Sequence, residues 1–580
     1  MRSKLGIMAG VIALGALLTL VAASCVAPTP QVVVQTQVVE KVETQVVKEV
    51  QTQVVEKVVT QEVEKTIVVT PVPDQGRVFR VGMFSSPQSF NPLVTTDDYS
   101  ATVFEQLYGQ LVRYDYEGAP IPWLAESWEV SEDATEYTIR LRNDVTWSDG
   151  TPFTAKDVEM TIRLHGTKAV GSIFAGSFAG IKGMSAFTEG TADTIEGLQV
   201  IDDQTIKFVL EAPNVAFLRS LDYFILPAHV LGDVPPDQLA NNAFFKAPTV
   251  SVGPYKFVQY QPDQFIEFEA NEKYFKGEPQ IKRLIYRIGS QDVLLAQLQK
   301  DELDFAMIPA AEVQRIKGLY DTTVTAIPGV GSQLMHVNMA KPYLQDKLVR
   351  QAIAYALPRK DMVQALYFGA GTVQNSPNRA GWVVPPDLNP YDYDVEKAKQ
   401  LMAEANWDPA NKLVMRYSTG NKAREMSAPL IQQALKAVGM EVELQVTDFS
   451  TLLNDLKAGK YDLALLGWTG PGDPDLDSIV YESKNMPPAG WNLQAYKNDK
   501  VDQLFEQGRQ ALDQAERQKA YYELYRILND ELPTVFLWSE DLIYGYNNRL
   551  QNFKPNQYET WAYLANVAFP NIEQLTLAGE

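Results

Sequence analysis

The most regular alternation of apolar and polar positions lies between residues 413 and 468. Apolar side chains recur every second residue in two short segments, and with helical spacing in the segment between them. A third apolar run, from Leu463 to Leu466, is too short for a helix and stops at Gly467. The pattern predicts strands at 413–417, 441–446 and 461–468, a helix at 423–438 ending at Gly439, and a short helix capped by Asp448 or Ser450 and ending at Gly459.

This βαβαβ order predicts a parallel sheet with right-handed crossovers. Ligands of such sheets gather at the carboxyl ends of the strands. Trp468 stands at the end of the third predicted strand. The end of this strand is therefore the first candidate for a functional site.

The remainder of the chain after residue 77 mixes the strand and helix patterns. Thr154 and Asp157 form a capping-box-like start for a helix. The predicted elements are strands at 78–81, 136–142 and 534–544, a turn-rich loop at 85–92, a helix from Thr154 to about Leu164, and a long amphipathic region at 499–530.

The N-terminus has the layout of an export signal. Arg2 and Lys4 precede an apolar stretch at 5–20, and small residues at 21–24 lead to Cys25, the one cysteine of the chain. This resembles a bacterial lipoprotein signal peptide at 1–24, in which Cys25 becomes the lipid-modified N-terminus. A plain secretory signal with an incidental cysteine is the alternative.

Residues 25–76 form a low-complexity linker. From residue 35 the sequence QTQVVEKV and its variants repeat every eight residues, a period that keeps no apolar stripe on one face of a helix. Valine and threonine favour extended backbone. We interpret the linker as an extended stalk, with a self-associating valine-rich segment as the alternative.

Length and charge restrict the class of protein. A chain of 580 residues exceeds what one hydrophobic core usually serves, which predicts two or more lobes. The net charge of −21 argues against a nucleic-acid partner, because neutralising phosphates requires surplus Lys and Arg. After the signal, no apolar run in the sequence approaches the length of a membrane-spanning helix.

Catalytic motifs are missing from the sequence. His165, His229 and His336 lie far apart, and there is no HExxH, GxSxG or P-loop pattern. Carboxylate pairs suited to a glycosidase arise by chance among 72 acidic residues. We therefore expect no enzyme, no cofactor and no metal site. The alternatives of another class are a surface-anchored glycoside hydrolase and an adhesive stalk protein.

Several longer motifs occur in order along the chain. They are residues 89–93 (SFNPL), 124–130 (LAESWEV), 137–154 (YTIRLRNDVTWSDGTPFT), 252–257 (VGPYKF), 348–357 (LVRQAIAYAL), 396–405 (EKAKQLMAEA) and the segment at 461–477. Together they resemble one family, the extracytoplasmic solute-binding proteins of peptide, opine and nickel ABC importers (solute-binding protein family 5). The resemblance extends from Arg77 to the C-terminus.

The resemblance implies an α/β, two-lobed periplasmic-binding-protein-like fold with a hinge and an extra subdomain in the first lobe. It implies a monomer that delivers a small ligand to an ABC permease, held by lipidated Cys25 at the outer face of the cell membrane or facing the periplasm. The expected domains are a first lobe at 77–335 with the subdomain at about 115–200, a second lobe at 336–537, and a return to the first lobe at 538–580.

The candidate ligand contacts surround the end of the strand at 461–468. Trp468 offers an aromatic surface, and Asp473 and Asp475 offer acceptors. In the alternative interpretation Trp468 packs in the core and Asp473 caps a short helix before Pro474. The further candidates are Trp491, Arg379, Trp382, Phe90 and Asn91.

One departure from the family bears on the ligand. Peptide-binding members place an aspartate after the Trp-x-Gly/Ala of this loop, where it pairs with the peptide's α-ammonium group, whereas this chain has Pro471. Proline cannot accept that ion pair. We predict an oligopeptide-like ligand, with an oligosaccharide stacked on tryptophan as the alternative; nickel alone is disfavoured because histidines are few and scattered.

Overall fold

The computed structural model describes residues 78–95, 97–115, 119–319, 321–329, 331–379, 381–419, 421–469, 473–488, 490–555, 558–559 and 569–578. The predicted signal peptide, Cys25 and the linker lie outside the described residues, as does Pro471. Among the described helices, none is both long and apolar enough to cross a membrane.

The strands, in chain order, build two large sheets and several small ones. They are β1 (Val78–Met83), β2 (Gly109–Gln110), β3 (Val112–Asp115), β4 (Pro120–Pro122), β5 (Ala125–Val130), β6 (Glu136–Leu141), β7 (Leu198–Asp202), β8 (Thr205–Val209), β9 (Phe224–Ile225), β10 (Tyr255–Gln261), β11 (Phe265–Ala270), β12 (Arg283–Ile288), β13 (Phe305–Met307), β14 (Thr322–Ile327), β15 (Gly331–Val337), β16 (Gly371–Val373), β17 (Lys412–Ser418), β18 (Glu441–Thr447), β19 (Leu463–Thr469), β20 (Thr534–Glu540), β21 (Leu542–Asn547), β22 (Leu550–Gln551), β23 (Tyr558–Glu559) and β24 (Thr576–Leu577).

The α-helices pack on these sheets. They are α1 (Asp98–Leu107), α2 (Ala155–Gly166), α3 (Met184–Thr188), α4 (Ala228–Leu231), α5 (Pro236–Leu239), α6 (Gln291–Gln299), α7 (Val313–Lys317), α8 (Lys347–Ala356), α9 (Arg359–Tyr367), α10 (Val395–Glu404), α11 (Lys422–Ala437), α12 (Phe449–Lys457), α13 (Ser478–Tyr481), α14 (Asp499–Gln510) and α15 (Gln514–Glu531).

The first lobe is built on a seven-stranded sheet of order β10-β11-β12-β1-β13-β21-β14. Strand β1 pairs in parallel with β12 and β13, and β21 runs antiparallel between β13 and β14. A separate four-stranded antiparallel sheet, β5-β6-β8-β7, shares one hydrophobic core with this lobe. The predicted capping box at α2 is present, since the Thr154 N–H donates to Asp157 Oδ2 at 2.8 Å.

The second lobe is built on a six-stranded sheet of order β16-β20-β15-β19-β17-β18. The predicted βαβαβ unit is confirmed, because β17 pairs in parallel with both β18 and β19, and α11 and α12 are the crossovers. Asp448 caps α12 through its side chain, which accepts from the Thr451 N–H at 2.9 Å. Residues 463–466 are buried, as the short apolar run predicts.

The chain crosses between the two lobes twice. It leaves β14 at Ile327 and enters β15 at Gly331, and it returns from Glu540 at the end of β20 to Leu542 at the start of β21. We call these segments the outward and the return crossing. The prediction of one strand at 534–544 is wrong: two strands in different sheets meet at Asp541. The apolar run continues through the break because both strands are buried, each in its own sheet.

The two crossings touch backbone to backbone. A Cβ atom on Gly329 would lie 1.9 Å from the carbonyl oxygen of Glu540. The Ser539 hydroxyl donates to the Gly329 carbonyl oxygen at 3.3 Å. The outward and return crossings therefore form one narrow two-stranded connection that depends on a residue without a side chain at position 329.

Gly329→Ala tests this close approach. The added methyl group forces the crossings apart, so we expect a loss of about 1–3 kcal/mol in the free energy of unfolding, measured by denaturant titration. Gly381→Ala is the matched control, because a Cβ there meets nothing within 4 Å. Equal stability of the two variants would contradict the close packing of the crossings.

Candidate functional site

One end of the second sheet faces the first lobe, and we call this end the site edge. The parallel strands β17, β18 and β19 end there, β15 begins there and β20 ends there. Both crossings leave from this edge, so it lies next to the first lobe. This is the position at which open α/β sheets bind ligands.

Trp468 lies half-buried on one face of this edge, at the end of β19 and opposite Ser332 of β15. Its ring centroid is 5.7 Å from that of Trp491, and the planes meet edge to face at 62°. The Lys457 ammonium at the end of α12 lies 4.3 Å from the Trp491 centroid. The two candidate tryptophans therefore form one aromatic pair with a cation over it.

Polar groups occupy the other face of the same edge. Arg424 Nε donates to Gln333 Oε1 at 2.9 Å, and Gln333 Nε2 donates to Glu540 Oε1 at 3.1 Å. Gln333 lies directly opposite Gly467 in the sheet, and an Arg424 nitrogen occupies the space where a Gly467 side chain would be. The glycine before Trp468 thus makes room for this charged network.

Sequence reasoning missed Gln333, Arg424 and Glu540. A usable signal was present, because Glu540 and Asp541 interrupt an otherwise apolar segment at 534–544. Acidic residues at the end of a buried strand require partners or a function. Arg424, near the start of an amphipathic helix, carried no such signal.

The carboxylates of Asp473 and Asp475 already have arginine partners in this structure. Arg517 donates to both oxygens of Asp473, at 3.0 and 2.8 Å, and Arg509 Nε lies 2.8 Å from Asp475 Oδ1. Asp473 also accepts from the Asp475 N–H and caps the turn that starts at Pro474. The capping interpretation of Asp473 is therefore confirmed, and in this structure both side chains stabilise the loop.

The pKa values of the buried acids in this loop are shifted in different directions. Although burial alone raises it, the pKa of Asp473 is held below its usual value by Arg517. Burial raises the pKa of Asp475 to about 6 against the lowering effect of Arg509. It raises the pKa of Asp477 to about 7, although the Tyr525 hydroxyl donates to Asp477 Oδ2 at 2.6 Å.

Arg379 and Trp382 make contacts within the second lobe. Arg379 Nη1 donates to the Ser539 hydroxyl at 3.0 Å, beside the return crossing. The Arg517 guanidinium lies 5.6 Å from the centroid of Trp382. Trp382 therefore belongs with the Arg517–Asp473 pair, and Arg379 belongs with the return crossing.

Phe90 and Asn91 follow β1 at the facing edge of the first lobe but are buried, at 3% and 0% exposure. The Phe90 ring packs on Phe257 and Tyr260, with centroids at 5.6 and 5.2 Å. Asn91 Oδ1 accepts from the Leu93 N–H at 3.0 Å and forms a turn. Both side chains therefore pack within the first lobe in this structure, and their role as ligand contacts stays a prediction.

The lobes touch beside the site in this conformation. The Val215 N–H of the first lobe donates to the Arg509 carbonyl oxygen of the second at 2.8 Å. The charge of Arg219 in the first lobe also helps to lower the pKa of Asp473. This contact, which we call the lip contact, joins the lobes at a second place besides the crossings.

The described residues contain no group of three or more His, Cys, Asp or Glu side chains arranged to hold a metal ion. His165 and His336 are buried, and burial lowers their pKa values to about 3 and 4. His229 Nε2 lies 3.0 Å from Asp149 Oδ2 in the first lobe. The three histidines do not converge on the site edge.

Most of the chain matches the sequences of known proteins. A sequence profile of bacterial extracellular solute-binding proteins, family 5 (middle region), matches residues 119–489. The oligopeptide-binding protein AppA of Bacillus subtilis (strain 168) is 28% identical over 526 residues, which cover 87% of this chain and 92% of that protein. The dipeptide-binding protein of Escherichia coli (strain K12) is 29% identical over 482 residues, covering 78% and 87%.

Solved structures agree with these sequence matches. AppA from Bacillus subtilis in complex with a nonapeptide superposes with a TM-score of 0.75 at 26% identity, covering 86% of this chain and 99% of that chain. NikZ from Campylobacter jejuni in complex with Ni(L-His) gives 0.74 at 25% identity with the same coverage. The expected two-lobed α/β fold is confirmed.

Asp477→Asn tests the buried acid behind the lip contact. Above pH 7 the folded protein holds a buried charge there, whereas the unfolded chain ionises freely down to about pH 4. This group therefore stabilises the fold increasingly as the pH falls from 8 to 5. We expect the variant to melt at a higher temperature than the unmodified protein at pH 8, with the difference shrinking toward pH 5.

Thermal unfolding across this pH range measures the effect, and Asp193→Asn, at an exposed position, is the control. A stability difference for Asp477→Asn that does not change with pH would show that Asp477 does not titrate in this range.

Proposed function

Because the chain belongs to the family 5 bacterial extracellular solute-binding proteins, we propose that it captures oligopeptide-like solutes between its lobes and delivers them to an ABC permease. The observation that carries this proposal is the site edge, where an aromatic pair and a charged network lie on either face of a sheet beside the crossings. Such a mixture of aromatic surface and a few placed polar groups suits a small-molecule cleft.

Closure of the lobes is the motion that this arrangement supports. The crossings connect the lobes at one place, and the lip contact between Val215 and Arg509 joins them at a second. Hinge closure around a ligand needs only a few backbone dihedrals to change at such crossings. The proposed cycle opens the lip contact, admits the solute and re-forms the contact around it.

A peptide is the ligand that the relatives favour. AppA is named for oligopeptide binding and its structure holds a nonapeptide, and a second relative is named a dipeptide-binding protein. Their naming as binding proteins also supports a role without catalysis. The Trp468–Trp491 pair favours a second candidate, an oligosaccharide, because sugar rings stack on tryptophan faces.

The proposed location is the outer surface of the cell membrane or the periplasm, with Cys25 lipidated and residues 25–76 acting as a stalk. The signal-like sequence at 1–24 and the family's extracellular naming support this proposal. We propose that the protein acts as a monomer.

Peptide binding is tested by thermal shift of the full-length protein, extracted in mild detergent, against panels of peptides and oligosaccharides. A peptide at a hundredfold excess over its Kd should stabilise the protein by about 2.7 kcal/mol. Trp468→Ala should weaken binding roughly tenfold or more, because the variant loses a large aromatic contact. Trp128→Ala, in the separate sheet of the first lobe, is the control. A shift with oligosaccharides and none with peptides would favour the second candidate.

The lipid anchor is tested with Cys25→Ala. We expect this change to abolish labelling by a radioactive fatty acid and to move the protein from the membrane fraction to the soluble exported fraction, because the acyl chains attach through this cysteine. Membrane fractionation of cells expressing either form measures the effect. Unchanged retention together with unchanged labelling would refute the anchor.

A further inference from the structure

The second lobe forms its side of the lip contact with the last turn of α14. The carbonyl oxygen of Arg509 in this turn accepts from the Val215 N–H of the first lobe at 2.8 Å. Arg517 Nε donates to the carbonyl oxygen of the preceding residue, Gly508, at 3.1 Å, and the two terminal nitrogens of Arg517 donate to Asp473. The ion pair of Arg517 and Asp473 therefore fixes the backbone that the first lobe contacts.

Three side chains of the first lobe face this ion pair. The Arg219 guanidinium lies 4.2 Å from the ring centroid of Tyr114, and its charge helps to lower the pKa of Asp473. The charge of Arg517 acts in turn on Tyr114 and on Tyr137. The lip contact therefore brings charged and phenolic groups of both lobes together.

Seven charged side chains with exposures between 5% and 19% surround the lip contact, and we call them the lip cluster. They are Arg219, Asp222, Asp473, Asp475, Glu482, Arg509 and Arg517. Lys484 and Glu506, which are more exposed, add one charge of each sign at its rim. Among the described residues, the lip cluster thus holds one more carboxyl group than it holds guanidinium groups.

Asp475 is the carboxyl of the lip cluster with the weakest compensation. Arg509 Nε lies 2.8 Å from Asp475 Oδ1, but the terminal nitrogens of Arg509 donate to both oxygens of Glu482 at 2.8 Å. Burial raises the pKa of Asp475 to about 6, and the charge of Asp473 adds to this effect, whereas Arg509 and Arg517 oppose it. Asp475 is therefore the group on which the surplus negative charge of the cluster is most easily neutralised by a proton.

The other titratable groups around Asp475 are held in one protonation state. The other three carboxyls of the lip cluster each have an arginine partner from their own lobe. Tyr521 on α15 and Tyr114 across the lip contact stay neutral, because burial raises their pKa values well above the usual value. Asp477 accepts from the Tyr525 hydroxyl at 2.6 Å within the second lobe, so its surroundings do not depend on the lip contact.

We propose that closure of the lobes takes up one proton at the lip cluster, on the carboxyl group of Asp475, so that acidic conditions favour the closed state. This inference rests on the proposed function and adds a regulation to it. Parting of the lobes lets water reach the cluster, and a hydrated carboxylate holds its charge more easily than a buried one. The proton binds more tightly in the closed state, so by linkage it favours closure.

The sign follows from the pKa of about 6 in the closed state. At higher pH the carboxyl is ionised whether the lobes are closed or parted, and it contributes nothing to the equilibrium between them. As the pH falls below about 6, the closed state binds the proton first, and the closed population grows. The effect levels off below about pH 4, where a hydrated aspartate is protonated as well.

Single-molecule fluorescence energy transfer between one dye on each lobe measures the ratio of closed to parted molecules. The dyes are attached at Asp193→Cys and Gln400→Cys, two exposed positions, in the full-length chain with Cys25→Ala. From pH 7.5 to pH 5 the ratio should rise about fivefold or more, because one proton can change it by up to about tenfold per pH unit. The rise should begin near pH 6.

Asp475→Asn cannot take up the proton and should give the same ratio at both pH values. Asp477→Asn, two residues along the chain and also buried, is the matched control and should keep the rise. Circular dichroism of each variant confirms that the fold is kept.

A ratio that stays constant with pH in the labelled parent protein, whether its lobes are closed or parted, would overturn the proposal. A rise that persists in Asp475→Asn would overturn the assignment to this carboxyl. A pH-dependent ratio in a protein that binds neither peptides nor oligosaccharides would support the proton-linked closure and overturn the proposed function instead.

Discussion

The close approach of Gly329 to the Glu540 carbonyl is the constraint on which the rest of the molecule depends. It brings the outward and return crossings together. The two large sheets, whose strands do not pair with each other, are therefore joined by one narrow connection. Strands β15 and β20 then lie side by side as they leave this connection, and the site edge of the second sheet is drawn next to the first lobe. A hinge of this kind confines the relative motion of the lobes to rotation about a short backbone segment.

The acidic side chains near this hinge have two kinds of partner. Behind the lip contact, buried acids are matched by Arg509 and Arg517, whose ion pairs offset the cost of removing charge from water. At the crossings, Glu540 is satisfied mainly by neutral donors. The first arrangement stabilises a loop, whereas in the second burial raises the pKa of Glu540 above its usual value. The chemical difference lies in the partners rather than in the acids.

Much of the second lobe could be predicted from sequence because its signals are local. The alternation at 413–468 and the stop at Gly439 define β17, α11, β18, α12 and β19 within one or two residues. The two-lobed fold could be predicted only from resemblance, since the sheet order joins strands hundreds of residues apart. The break at Asp541 was missed because burial in either sheet selects the same apolar residues.

The site was less predictable than the fold. Trp468 and Trp491 were named separately, and their contact follows from tertiary packing that no spacing encodes. Asp473 and Asp475 follow the end of a strand, where acidic side chains can serve either as ligand contacts or in structural ion pairs. Their partners, Arg517 and Arg509, lie on helices further along the chain, so sequence alone could not choose between the two roles. Phe90 and Asn91 lie in a turn-rich segment that predicts a loop, and such a pattern does not tell whether a side chain of the loop is buried.

The position of β21 has a consequence for the order in which the protein folds. This strand, at Leu542–Asn547, lies between β13 and β14, so the sheet of the first lobe is incomplete until nearly the whole chain has emerged. The second sheet consists of strands from Gly331 to Glu540 and is complete just before. Contacts between distant segments form slowly because a long loop must close first. During synthesis or secretion from the N-terminus, the lobe that begins first is thus the lobe that finishes last, with an open sheet edge that the C-terminal segment closes.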